Sequence, residues 1–506
     1  MLENIKHLLK HSFIYSISNI ALKASGVILL PLYTIYFSVE EYGRLGLILI
    51  SIIVMSQSLI LGQGISLIRY NNDKTLRNQR ESIFFTLTVL VIAIILLFIL
   101  LSTFYLEDIS SLLGDADVYS KYLNIAIFIA AAITINNLFL SKLRADESLV
   151  LYTVSNLLKV LVIIVVNIYL ILYKKMGIES VLYAQLAGEI TNTIFILPRM
   201  ISQMKIHFKI DIIGKTIKFG LPLVFSAMAI NLLNGSDRFL IKFLIGETEL
   251  GLYELGYKIA GIMNMFIIIP FGMTLLPIAY KLYKKEGDKR YYLKLKTYMT
   301  FIFVWAGLSI SLFSEEIVKL FAMNPSYYTA YKVVPLIVLA YTIYGMSMIS
   351  SLGMYLTGKN HFIAYITILC AALNIGLNFW LIPQFGMMGA AFNTVISFAV
   401  LDILSNLASN KYYKIYYEYK KLIILFTICI FVYFVSFLFD NLGLAIEIFL
   451  KLVLIIIFPI FIIFTKYFDK QELKTIIGGF KKWRNPINWK KNLLIEISKT
   501  EAGKED

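Results

Sequence analysis

Residues 82–105 read SIFFTLTVLVIAIILLFILLSTFY, twenty-four consecutive positions without an acid or a base. Coiled as an α-helix at ~1.5 Å per residue, the stretch is about 36 Å long, more than the ~30 Å hydrocarbon layer of a bilayer. In lipid every backbone N–H and C=O must find its partner within the protein, and a helix provides this within one segment. This stretch therefore predicts a membrane-spanning α-helix, and the rest of the chain repeats the pattern. Apolar runs of spanning length occur near 12–36, 45–67, 120–140, 150–173, 179–199, 220–245, 252–280, 297–314, 333–356, 362–383, 387–408, 422–439 and 443–465. With 82–105 they make about fourteen expected spans, the run at 252–280 being long enough to hold an interfacial turn as well.

Composition agrees. Hydrophobic residues fill 59% of 506 positions and charged residues 16%, with a mean hydropathy of +0.76. No soluble interior of this size hides so much apolar surface. Lys6 and Lys10 precede an apolar run that continues past Pro31 to Phe37, too long for the core of a cleavable signal. Cys370 and Cys429 both fall within apolar runs, so no disulfide framework is expected.

The net charge of +15 on its own suggests nucleic acid or a membrane surface as partner, and its placement decides between them. With Lys121 and Arg199 assigned to their adjacent loops, the N-terminus, one alternate set of loops and the C-terminal tail hold 35 of the 47 Lys and Arg, and the opposite set holds 6. The positive-inside rule then puts both termini in the cytoplasm. The opposite set carries acids instead: Glu107, Asp108, Asp115, Asp117, Glu315 and Glu316. No nucleic-acid partner is expected. In the tail, Lys481-Lys482-Trp483-Arg484 and Trp489-Lys490-Lys491 suit a segment lying on anionic lipids, and equally a solvated tail that reinforces topology.

A faint repeat runs through the chain. Glu41-Tyr42-Gly43 and Glu249-Leu250-Gly251 are 208 positions apart; Asn167-Ile168-Tyr169-Leu170-Ile171 and Asn378-Phe379-Trp380-Leu381-Ile382 are 211 apart. Gly177 and Gly386 follow the second pair, 209 apart. Six expected spans separate the copies, so the two halves share one orientation, an arrangement that puts a transport site between them. The expected division is residues 1–210 and 211–410 as six-helix halves, 411–465 as two added spans, and 466–506 as a basic cytoplasmic tail.

Several of these stretches resemble one family. Leu30-Pro31-Leu32 through Glu41-Tyr42-Gly43, and Asp237-Arg238-Phe239-Leu240-Ile241 continuing to Tyr253, are similar to the first and seventh spans of Wzx-type polysaccharide flippases. Leu356-Thr357-Gly358-Lys359-Asn360 and the run from Ile382 to Ala391 resemble their later loops. That family belongs with the multidrug/oligosaccharidyl-lipid/polysaccharide exporters, which alternate between inward-open and outward-open V shapes. The resemblance implies translocation of undecaprenyl-diphosphate-linked oligosaccharide units for O-antigen, capsule or another surface polysaccharide, in a bacterial inner membrane, alongside glycan-assembly membrane proteins.

A diphosphate crossing an apolar slab calls for cations at depth. Lys23, Lys159, Arg238, Lys242, Lys258 and Lys451 fall within expected spans, where each charge costs at least ~2.5–3.5 kcal/mol. Lys23, Lys159 and Arg238 are expected to face the transport path. Lys242 and Lys258 lie near enough to the outer surface to snorkel as well, and Lys451 is expected to snorkel. Together Lys23, Lys159, Arg238, Lys242 and Lys258 are the candidate substrate-binding set. Asp237 and Glu189 are candidates either for ion coupling or for a salt bridge to a base on another helix. Asn231, Asn234, Ser236, Asn374, Asn378 and Asn393 are candidates for a polar path or for interhelical hydrogen bonds.

No P-loop is present, and His7, His11, His207 and His361 lack the companions of a metal site, so neither cofactor nor metal is expected. The alternatives are a lipid II flippase, a cation-coupled multidrug exporter of the same fold, which would favour carboxylates in its path, and a membrane glycan polymerase or acyltransferase. Against an enzyme, the longest external loops hold almost no Lys or Arg.

Overall fold

The computed structural model describes residues 24–439, 442–469, 471–474 and 478, which form helices and turns with no strand among them. The chain divides into two compact units, Met1–Tyr417 and Glu418–Asp506. The first holds α1 (Leu30–Tyr36), α2 (Val39–Leu59), α3 (Gln63–Asn71), α4 (Arg80–Leu113), α5 (Ala116–Ala145), α6 (Leu149–Leu172) and α7 (Ile178–Ser202). After α8 (Ile210–Leu244) come α9 (Glu247–Met263), α10 (Ile269–Leu282), α11 (Asp288–Leu312), α12 (Ser314–Phe321), α13 (Val334–Ser350), α14 (Leu352–Leu356) and α15 (Asn360–Tyr412). The second unit holds α16 (Tyr419–Ser436) and α17 (Leu444–Phe464). Among the described residues, eleven helices are long and apolar enough to cross a membrane.

The stretch at 82–105 lies within α4, and its two faces differ as a lipid-embedded helix requires. Phe84, Leu87, Val91 and Ile95 are buried against Leu138, Phe139 and Ile196, whereas Leu96, Leu97, Leu100, Leu101 and Phe104 are exposed. Hydrocarbon is the natural neighbour of the exposed face.

Two boundaries depart from expectation for local reasons. The second span, expected at 45–67, is helical from Val39 because Ser38 and Glu41 form a reciprocal capping box that satisfies two amides at the helix start. It stops where Leu61 (φ 43°) and Gly62 (φ 71°) turn the backbone left-handed. The run at 252–280 holds no interfacial turn. Residues 247–282 form one continuous path through a π-helical turn at Asn264–Ile268, next to Pro270, which has no N–H to give the ladder. The expected spans 362–383 and 387–408 are the two arms of α15, which breaks at Gly386 (φ 58°, ψ −140°).

The repeated motifs come together in space. A Cβ added at Gly43 would lie 2.8 Å from Gly251 N, and one added at Gly251 would lie 2.8 Å from the Val39 carbonyl carbon, so α2 and α9 meet backbone to backbone. Lipid offers little hydrophobic drive for helix pairing, and close approach through small residues supplies the dispersion that replaces it. The glutamate of each motif also lies beside the repeated turn glycine of its own half. Glu249 accepts a hydrogen bond from Met387 N (3.0 Å) at the Gly386 break, and Glu41 lies beside Gly177. Asn167 of α6 donates to Tyr33 of α1 (3.0 Å), as Asn378 of α15 donates to Asp237 of α8 (2.7 Å).

At the opposite end of α2 the halves touch again. Ser66 donates to Thr216 O (3.0 Å), the Arg69 guanidinium lies 4.2 Å from the Phe219 ring centre, and a Cβ at Gly220 would come 2.8 Å from Leu61 O.

Candidate functional site

The faces of α2, α8 and α9 enclose a cluster of charge between the halves. Arg238 stands on α8 six residues before its end at Leu244, or ~9 Å along the helix axis. It is buried, its Nε donates to Glu254 Oε2 (2.7 Å), its Nη1 donates to the Asn234 carbonyl (2.8 Å), and its guanidinium lies 4.3 Å from the Tyr257 ring centre. Glu254 comes from α9 and rests against Gly46 of α2, where a Cβ would lie 2.8 Å from its Cγ. One turn further along α9, the Lys258 ammonium sits 5.7 Å from the ring centres of both Tyr33 and Tyr42, 3.4 Å from the Tyr42 hydroxyl, and beside Gly26. Among the described residues Lys258 has no carboxylate within ion-pair distance. The cluster therefore carries two cations and one anion, an excess of positive charge facing both halves.

Toward the Leu244 end of α8, a second network closes over the first. Glu247, the first residue of α9, pairs with Lys242 (2.5 Å) and with Arg44 of α2, and accepts from the Tyr119 hydroxyl (2.8 Å). Thr248 donates to Glu40 (3.1 Å). One carboxylate thus ties together α2, α5, α8 and α9.

Asp237, next to Arg238, projects about 100° away around α8. It is fully buried among neutral donors: the Tyr253 hydroxyl (2.7 Å), Asn378 Nδ2 (2.7 Å) and the Thr394 hydroxyl (2.9 Å). No base lies within ion-pair distance of it among the described residues, so the structure gives it no salt-bridge partner there. Asn378 Oδ1, beside it, is buried with no hydrogen-bond partner among the described residues, and Asn374, Ser236, Ser397 and Asn393 continue the polar chain.

The remaining candidates lie elsewhere. Lys159 of α6 pairs with Glu189 of α7, to which Asn136 of α5 also donates (2.7 Å), so its partners all belong to the first half. It is not brought to the Arg238 cluster. Lys23 and the tail clusters at 481–491 lie outside the described residues. Lys451 pairs with Glu447 one turn away on α17 (2.5 Å).

Among the residues the sequence did not single out are Glu254, the one acid of its apolar run, and Lys296, just outside the expected span at 297–314. Lys296 is fully buried and donates to Ser350 (2.6 Å) and Asp402 (3.3 Å). The spacing of Glu254 and Lys258, four apart on one helix face, was the available signal. A cavity of about 370 Å³ is lined mostly by apolar side chains, among them Leu233, Leu276, Met348, Phe398 and Leu401, and reaches Asn234, whose carbonyl accepts from Arg238.

Many apolar helices around a charged site between two repeat-related halves define a multi-pass α-helical membrane transporter. The chain belongs to the polysaccharide biosynthesis protein family, whose model matches residues 8–283. No curated protein matches it in sequence. Among solved structures it is similar to the lipid II flippase MurJ in an inward closed conformation, at 14% identity and a TM-score of 0.72, covering 88% of this chain and 98% of that one. It is also similar to a multidrug resistance MATE family transporter of the MOP superfamily, inward-facing, at 16% identity and a TM-score of 0.63, covering 78% and 94%. A MOP superfamily transporter from Pyrococcus furiosus matches at 15% identity and a TM-score of 0.58, covering 79% and 94%. At these identities the likeness carries the fold, which is the expected all-α exporter fold.

Proposed function

We propose that the protein flips undecaprenyl-diphosphate-linked oligosaccharide units across the bacterial inner membrane for a surface polysaccharide, O-antigen or capsule among them. The observation that carries this reading is the ammonium of Lys258, which has no carboxylate within ion-pair distance among the described residues, beside Arg238 between the halves. A half-buried cation without a close counter-ion is costly at membrane depth, and a site that keeps one is suited to an anion. Arg238 and Lys258 hold the diphosphate, and Lys242 and Lys23 extend the positive path. Both termini are cytoplasmic in this reading, the tail rests on anionic lipids, and glycan-assembly membrane proteins supply and take up the glycan.

Coupling is assigned to Asp237. A carboxylate hydrogen-bonded only by neutral side chains among the described residues, with the Asn378 amide Oδ1 beside it lacking a partner among them, suits a monovalent cation held by oxygen ligands. Of the alternatives, a multidrug exporter for cationic drugs fits the positive cluster poorly; a lipid II flippase fits it equally well, since that substrate also carries a diphosphate.

The test uses purified protein in nanodiscs with polyprenyl diphosphate as ligand. Wild type should bind it, Lys258→Ala should bind at least tenfold more weakly, and a cationic dye should not compete. Dye binding with no diphosphate binding would replace this reading with drug export. Proteoliposomes loaded with defined lipid-linked glycans then separate the polysaccharide precursors from lipid II.

A further inference from the structure

Among the described residues Glu254 is the one acid paired within the cation cluster, and for a carboxylate largely withdrawn from the surface (side chain 14% exposed) its bonding is thin. It accepts a single hydrogen bond, from Arg238 Nε, and among the described residues its Oε1 has no partner. Arg238 is correspondingly half-used: Nη1 goes to the Asn234 carbonyl, while Nη2 donates to none of the described residues. The Nε–Nη2 edge is the edge on which a guanidinium grips an oxoanion with two parallel bonds, and Glu254 occupies one end of it. Lys258, four residues on along the same helix face, makes no ion pair with Glu254. On its other side Glu254 fills the space that Gly46 leaves in α2, with Gly46's absent Cβ lying 2.8 Å from Cγ and 3.0 Å from Cδ.

We infer that Glu254 is a built-in stand-in for the substrate's anionic head group: it holds the Arg238 guanidinium while the site is empty and is displaced when a diphosphate arrives. This rests on the proposed anionic substrate. A diphosphate can take both donors of the guanidinium edge and the Lys258 ammonium as well, where Glu254 takes one. Once displaced, the Glu254 side chain leaves the slot at Gly46, which belongs to the opposite half. Binding therefore loosens a contact between α2 and α9, and the ligand gains its differential hold on a second arrangement of the halves through that step. Glu254 is a positioning residue, acting through Arg238.

The test is binding and turnover of the full-length protein in nanodiscs and proteoliposomes, with inorganic diphosphate and polyprenyl diphosphate as probes. Glu254→Gln should bind both about tenfold more tightly than wild type, the loss of one charge-assisted competitor, and should turn over more slowly at saturation. Glu254→Asp, which keeps the charge but falls one methylene short of Arg238, should also bind more tightly. It serves too if Glu254→Gln proves unstable. A purely structural role would weaken binding and leave the ratio of saturating to subsaturating rates unmoved, and that result overturns the inference. Tightening in Glu254→Gln alone, with Glu254→Asp like wild type, means general repulsion and overturns it as well. If wild type binds neither probe, the anionic substrate itself is wrong and the inference falls with it.

Discussion

Arg238 and Lys159 are both basic residues in apolar helices, yet their surroundings give them different work. Lys159 is matched by Glu189, which Asn136 also holds, inside the first half, whereas Arg238 stands at the interface beside Lys258, which has no carboxylate partner among the described residues. Removing one partner of a buried ion pair leaves the other charge stranded, and this costs about 3 kcal/mol. Lys159→Ala should therefore lower thermal stability and membrane abundance, and Lys159→Met combined with Glu189→Met should recover most of the loss. Equal stability of Lys159→Ala and wild type in a melting assay would return Lys159 to the substrate path. Lys258→Ala should do the reverse: normal abundance, with export of surface glycan reduced at least tenfold. This difference was not legible in the sequence, because a lysine in a span shows its cost but not its partner. Asp237 illustrates the same limit. A base on another helix was one expected partner, but the groups that reach it are neutral, Tyr253 from α9 and Asn378 and Thr394 from the two arms of α15. Asp237→Asn should abolish any dependence of export on a sodium or proton gradient while leaving diphosphate binding within about twofold. Loss of binding in that variant would tie Asp237 to the substrate rather than to an ion.

Helices α2 and α9 meet where two glycines remove the side chains between them, and neighbouring polar side chains lock that contact. The side chains of Glu40 and Thr248 are within hydrogen-bond reach across it. Cysteines at these two positions, with Cys370 and Cys429 replaced by alanine, should form a disulfide that stops export, and reduction should restore it. Adding Gly251→Val should prevent the bond from forming, because a branched side chain cannot enter the space beside Val39. A disulfide that forms fully while export continues at its normal rate would show that this end of the molecule stays shut during transport. The motif that builds the contact was readable as a repeat, since Glu-x-Gly recurs at nearly constant offset. Its role was not, for it looked like a loop after a span. The capping box at Ser38 draws Gly43 into the helix, and only then does its missing side chain face Gly251.

For the molecule as a whole, hydropathy and charge placement located most of the helices, because lipid imposes both on sequence directly. A reporter enzyme fused after Gly443 should be active outside the cell membrane and one fused after Lys466 inside. Both on one side would remove the last expected span, and both reversed would overturn the charge argument. The meeting of Gly43 with Gly251 carries a consequence for ancestry. When equivalent residues of two copies touch each other, the contact has the form of a two-fold homodimer interface, self-complementary by symmetry. A gene that once encoded six helices and paired with its own product would have made this contact before it was duplicated and joined. The joining segment is then dispensable for assembly. The chain cut between residues 203 and 209 and expressed as two polypeptides should co-purify and restore glycan export, and failure of the pieces to associate would mean that the covalent link came first.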